Sequence, residues 1–230
     1  MHIDTTFKNI TVCKRCGTCC QKGGPTLHKE DKKILLSGLI GYQHLITIRK
    51  DELAYSSLSR QPKPVKKELI KLAGKEKGKG WTCCFYDERK SSCTIYRHRP
   101  QECRLLKCWD TSSLMPVIGK DTITRADIIK PDNPLSSLIE IHELQCPVNK
   151  IESLTESLFK KNNRSKSLEE LTELIRKDLA IRSQAIAEYG LPLSIELFIF
   201  GRPLFKLLPP SVSVQEIYGN IFLSCSSPYS

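Results

Sequence analysis

The sequence predicts an α+β chain in two halves, a small cysteine-rich half with a β-hairpin over residues 1–112 and a mostly α-helical half over residues 113–230. Three observations carry this. Nine of the eleven cysteines lie between Cys13 and Cys108. Short runs of branched and aromatic residues, separated by Gly, Pro and Asp, recur between Leu45 and Tyr96, which is the pattern of brief strands. Apolar stripes at helical spacing with recognisable caps are concentrated after Asn133.

In chain order, Cys13 to Gly24 reads as a knuckle-like loop, with Gly17, Gly23 and Gly24 supplying backbone freedom where the chain folds round a ligand. A helix is expected over about Leu27–Ser37, with Thr26 as cap, Glu30 and Asp31 near its positive end and Gly38 as terminator. Leu45–Arg49 reads as a strand, and 59–68, with Pro62 and Pro64, as a loop. Leu69–Leu72 fits a strand or a short helix, and the lysine-rich Gly74–Gly80 a solvated turn. Trp81–Tyr86 and Cys93–Tyr96 then form the arms of a hairpin closed by 87–92.

Asn133 before Pro134 is an N-cap followed by proline at the first helical position, so a helix should run to Gln145, stopped by Cys146 and Pro147. Ser153/Glu156 and Ser167/Glu170 have capping-box spacing. The second opens a helix with Leu168, Leu171, Ile175 and Leu179 on one stripe, ended by Gly190 and Pro192. The apolar run 191–208 is expected to pack as a buried helix.

No stretch of 18 apolar residues occurs, so no transmembrane helix is expected. Met1–Ile10 carries Asp4 and no apolar core ahead of a cleavage site, which predicts a cytoplasmic chain without a secretory signal. In a reducing compartment, eleven cysteines, an odd number at short spacings, read as metal ligands rather than disulfides. The net charge of +11 is lopsided: residues 1–110 hold 23 Lys/Arg against 11 Asp/Glu, and residues 111–230 hold 13 against 14. That could attract nucleic acid, with Trp81, Phe85, Tyr86 and Tyr96 as stacking groups. Thiolates bound to metal explain it more simply, since a Zn²⁺ held by four of them contributes about −2.

The ligand set is read from spacing. Cys13, Cys16, Cys19 and Cys20 give C-x2-C-x2-C-C, a turn in which two sulfurs can approach one ion. If the backbone is extended at Cys19–Cys20, these neighbours point to opposite faces, one closing a first site and the other facing a second or a larger cluster. Cys83, Cys93, Cys103 and Cys108 must be brought in by the fold, with Cys83 and Cys93 on the two arms of the hairpin. One or two centres follow, holding an iron–sulfur cluster or zinc. Three cysteines at C-x2-C-x2-C favour iron–sulfur ligation slightly, because paired zinc knuckles repeat C-x2-C twice.

These residues, with Cys83-Cys84-Phe85-Tyr86-Asp87 and Cys93-Thr94-Ile95-Tyr96-Arg97-His98-Arg99-Pro100-Gln101-Glu102-Cys103-Arg104, resemble the YkgJ family of cysteine-cluster proteins, described as zinc- or iron-chelating. The resemblance covers about residues 10–108 and places Cys13, Cys16, Cys19, Cys20, Cys83, Cys93 and Cys103 on motif positions. Cys108 is a further ligand, while Cys84 stands where many relatives have proline. The family is also similar to the cysteine-rich region of flagellin lysine N-methylases, which implies an enzymatic alternative dependent on S-adenosylmethionine. No glycine-rich nucleotide loop accompanies it here. Arg97, Arg99 or Arg104 could donate to thiolate sulfur, His28 and His98 are further candidate ligands, and Cys146 and Cys225 read as non-ligands.

Overall fold

The computed structural model describes residues 12–56, 61–77, 80–160, 163–217 and 219–225. In chain order the elements are α1 (Lys32–Leu36), β1 (Leu45–Ile48), β2 (Leu53–Ser56), β3 (Gln61–Pro64), β4 (Leu69–Leu72), β5 (Gly74–Lys77), β6 (Gly80–Cys83), β7 (Tyr86–Asp87), β8 (Ser92–Cys93), α2 (Gln101–Leu105), α3 (Pro134–Gln145), α4 (Asn149–Leu158), α5 (Arg164–Ala187), α6 (Glu196–Phe200), β9 (Val212–Ile217) and β10 (Asn220–Cys225). The fold is α+β, with small hairpins early and helices late. Two compact units share the chain: Met1–Ile46 with Leu69–Thr124, and Thr47–Glu68 with Arg125–Ser230.

In the first unit the expected helix over Leu27–Ser37 shrinks to a 3-10 turn, Lys29–Asp31, and the five residues of α1. Thr26 does not cap it, because residues 26–28 are held extended. Leu27 N–H donates to Ile70 O at 2.8 Å, Ile123 N–H donates to Leu27 O at 3.0 Å, and His28 bridges Thr122. The braid buries Leu27, Ile70 and Ile123 completely. Gly74–Lys77 is not a solvated turn: it is β5, antiparallel to β6 with Gly74 opposite Cys83. The next hairpin, β7–β8, pairs Tyr86 with Cys93 and Asp87 with Ser92. Its turn is closed by Asp87 Oδ1, which accepts Arg89 and Lys90 N–H at 3.0 and 3.2 Å. Cys83 and Cys93 therefore lie on different hairpins, not on the two arms of one.

In the second unit, Pro62 and Pro64 sit in a strand rather than a loop. β3 pairs antiparallel with β2, and its exposed residues form an edge where proline's missing N–H costs little. Residues 57–60 of that expected loop lie outside the described residues. α3 begins as expected, Asn133 Oδ1 accepting Leu135 N–H at 3.0 Å. Neither capping box forms: Ser153 lies inside α4 and Ser167 three residues inside α5. The 191–208 run gives only the five-residue α6 between 3-10 turns, broken by Gly201 at φ +69° and by Pro203. β9 and β10, which no residue pattern announced, pair in register from Val212–Cys225 to Ile217–Asn220.

Buried arginines organise the centre of this unit. Arg182 donates to Asp178 Oδ1 (2.9 Å), Glu196 Oε1 (2.7 Å) and the carbonyls of Phe200, Gly201 and Arg202 (3.2 Å each). Arg49 grips Glu143 through two bonds of 2.9 and 2.8 Å and reaches Cys146 O at 2.6 Å. Arg125 donates to Glu68, Glu143 and Ile199 O. The last carbonyls of α6, which have no partner within the helix, are thus met by guanidinium groups that themselves need acceptors once buried.

Candidate metal centre

The loop 13–20 is bent by its own turn and held to β6. Gln21 N–H donates to Gly17 O at 2.9 Å and Lys22 N–H to Cys19 O at 3.3 Å. Cys83 N–H then donates to Cys20 O at 2.8 Å, and Lys22 forms a parallel bridge with Trp81. Gly17, at φ +77°, lies so close to Tyr86 that a Cβ there would stand 2.0 Å from its hydroxyl. Gly24 meets the Leu72 carbonyl in the same way, at 2.3 Å. Glycine is required at both positions by close approach, and at Gly17 by the backbone angle as well.

Because the backbone turns at Cys19–Cys20 rather than running extended, their sulfurs do not face apart. The two Sγ atoms lie 4.0 Å from each other. Hydrogen bonding from the Cys20 thiol holds the Cys19 pKa down at about 6, assisted by the Arg99 charge. Cys20 is correspondingly pushed far up, by that same bond, by burial and by the charges of Cys19, Cys83 and Cys103. Cys103 is raised by burial and then by Cys83, Cys19 and Cys93. Cys93 is raised by burial and by Cys83 and Cys19, against the pull of Arg99. Cys83 is raised by its bond with Cys84, by burial and by Cys19 among others. Five thiols from the 13–20 loop, β6, β8 and α2 therefore act on one another's charge.

Cys16 joins at the edge. Its thiol lies 3.2 Å from Thr18 Oγ1, a contact that lowers its pKa, and it feels the charge of Cys19. Cys13 and Cys108 are exposed; Cys13 Sγ accepts Arg15 N–H at 3.4 Å, and Cys108 sits in the turn between the bridged Lys107 and Asp110. Cys84 directs its thiol to His44 O at 3.9 Å. Cys146 is fully buried in the second unit, where burial raises it to about 11.

The Arg99 charge acts on the thiols, a downward pull on both Cys19 and Cys93. Tyr96 lies under two guanidinium groups, Arg99 at 3.7 Å and Arg15 at 4.5 Å from its ring centroid. Arg99 Nε is buried and has no hydrogen-bond partner among the described residues. An orphaned N–H beside thiols is what a negatively charged sulfur centre would satisfy, because such centres accept hydrogen bonds from their surroundings. The arginine that the sequence could not single out among Arg97, Arg99 and Arg104 is thus distinguished by burial. Arg104 bonds instead to Glu30 and Arg99 O, at 2.5 and 3.1 Å.

α2 brings Cys103 into place, and buried acids fix α2. Asp31 accepts His28 N–H at 3.0 Å on one oxygen and Gln101 N–H at 2.8 Å on the other, joining the first turn before α1 to the start of α2. Glu102 accepts Thr26 N–H at 2.9 Å and lies 3.2 Å from His28 Nε2, while His28 Nδ1 lies 2.8 Å from Lys120 O. Both ring nitrogens of His28 are occupied by structural bonds, so it is not a ligand. No sequence spacing linked Asp31 to Gln101; the signal is only that an acid is wholly buried there.

The donor set fits a thiophilic metal: clustered sulfurs, a neighbouring cation, and an unfilled N–H. Five thiols act on one another's charge, one more than the four positions of a single tetrahedral ion. A family model described as a "putative zinc- or iron-chelating domain", named for its CxxCxxCC motif, matches residues 12–127. No curated protein and no solved structure matches the chain.

Proposed function

Since the chain belongs to this CxxCxxCC family of zinc- or iron-chelating domains, we propose that its first unit holds an iron–sulfur cluster drawn from Cys13, Cys16, Cys19, Cys20, Cys83, Cys93, Cys103 and Cys108. The observation that carries this reading is the convergence of Cys19, Cys20, Cys83, Cys93 and Cys103 in one field, beside the unsatisfied Arg99 Nε. Iron–sulfur ligation is favoured over a lone zinc ion because the thiols that feel one another's charge outnumber one ion's positions and three cysteines follow the C-x2-C-x2-C spacing. This reading sets the protein in a reducing, cytoplasmic compartment, where closely spaced cysteines serve as metal ligands rather than disulfides. Metal binding also fastens the 13–20 loop to β6 and α2, so part of the binding energy is folding energy.

The test is the iron, zinc and acid-labile sulfide content of protein purified without oxygen. Iron and sulfide together, at about one equivalent or more per chain, are expected. Zinc without sulfide would replace the cluster by a zinc–thiolate centre. Less than about one equivalent of either metal removes the whole reading.

A further inference from the structure

The first unit also contains a cleft of about 650 Å³ whose walls carry Lys33, Arg97, His98 and Arg104 together with Ile34 and Leu39. The volume falls within the range of roughly 300–1,000 Å³ typical of small-molecule sites. The sequence brings these polar groups from separate places: Lys33 from α1, Arg97 and His98 from the 3-10 turn Tyr96–His98, and Arg104 from α2.

Arg104 is pinned by Glu30 and by Arg99 O, so its guanidinium is held in place before any ligand arrives. Among the described residues no carboxylate pairs with Lys33, Arg97 or His98, although the first unit has carboxylates committed elsewhere, as Asp31 and Glu102 show. Like charges gathered in a concavity with one low-dielectric wall focus their field into it and raise the local concentration of anions. Ile34, 6 % exposed, supplies such a wall.

We propose that this cleft binds a small phosphate-bearing ligand. Planar guanidinium groups take phosphate oxygens through paired bonds, and Lys33 adds a point charge from the facing element. A nucleic acid is a poorer occupant, because of the four aromatics that could stack on bases Phe85 and Tyr86 are buried and Tyr96 is covered by two arginines, which leaves Trp81, not part of this cleft, as the exposed face. The inference stands on the cleft alone and holds whichever metal the cysteines take.

Calorimetric titration of the anaerobically purified, metal-loaded protein with inorganic pyrophosphate, in phosphate-free buffer, tests it. One saturable site is expected, weakening as salt is raised. Lys33→Glu and, separately, Arg97→Ala should each weaken it at least about tenfold, with metal content and melting temperature as controls on folding. If Arg97→Ala fails to fold, Lys33→Glu on the exposed face of α1 decides the matter alone. The proposal is overturned by absence of saturable binding, by unchanged affinity in the folded variants, by citrate binding as tightly as pyrophosphate, or by tighter binding of a single-stranded oligonucleotide.

Discussion

Arg99 is held over Tyr96 at 3.7 Å while its Nε–H finds no acceptor, a buried vacancy that costs about 1–3 kcal/mol if left unfilled. Arg99→Met should therefore lower metal retention against a chelator, and Arg99→Lys, which keeps the charge but not the fork, should recover only part of it. Equal retention in all three proteins would show that Nε has no role at the centre. Among the cysteines, Cys103→Ser should abolish most bound metal while Cys225→Ser leaves it intact, read by metal content per chain. The pH sign follows from the shifts. Cys20, Cys83, Cys93 and Cys103 are all raised, so metal must displace protons from them. Apparent affinity should climb with pH from about 6 to 9; a flat or falling profile contradicts this. In the second unit, His142 is lowered by burial, and Asp178 ends low because bonds from His142, Arg182 and Leu204 outweigh its own burial. Both folded pKa values lie below their ordinary ones, so stability is full at neutral pH. It should decline as pH falls below about 6.5, where the unfolded His142 takes a proton, and further where Asp178 does. Asp178→Ala, which takes a buried carboxylate from both Arg182 and His142, should cost about 3–5 kcal/mol in urea unfolding.

Elements with a local signature were legible. Asn133–Pro134 fixed the start of α3, and the Asp87–Ser92 stretch announced a turn that Asp87 indeed closes. The cysteine cluster was legible too, since its spacing reflects chemistry rather than packing. What failed were motifs whose meaning depends on surroundings. S-x-x-E marks a cap only at a helix end; Ser153 Oγ instead donates to Lys150 O from inside α4. Thr26 would have capped a helix had Leu27 not been recruited between Ile70 and Ile123. The side of the backbone on which Cys20 lies also depended on a turn, set by Gly17 against Tyr86. Gly17→Ala tests that placement. Overpacking costs about 1–3 kcal/mol, and a side chain at φ +77° adds to it, so thermal stability and metal content should fall together. Gly38→Ala, at the open end of α1 with φ +75° and nothing within 4 Å of a Cβ, should show only the backbone penalty of about 1 kcal/mol.

Division into two units, with Thr47–Glu68 spent in the second between two passages through the first, has no signature in local pattern, because it is decided by long-range burial. Its consequence for stability is separable. The long helices α3, α4 and α5 belong to the second unit, while the nine cysteines from Cys13 to Cys108 belong to the first. Stripping metal with a chelator should therefore expose the first unit to proteolysis and leave most of the far-ultraviolet helical signal unchanged; parallel loss of both would mean that one centre supports the whole chain. The bond from Cys83 to Cys20 also has a timing written into it. The ribosome delivers the CxxCxxCC segment about sixty residues before Cys83, an interval of several seconds at roughly 5–20 residues per second. During that wait the nascent thiols stand bare in the cell, so a newborn chain meets alkylating agents, oxidants and stray copper before it can close on its proper cargo.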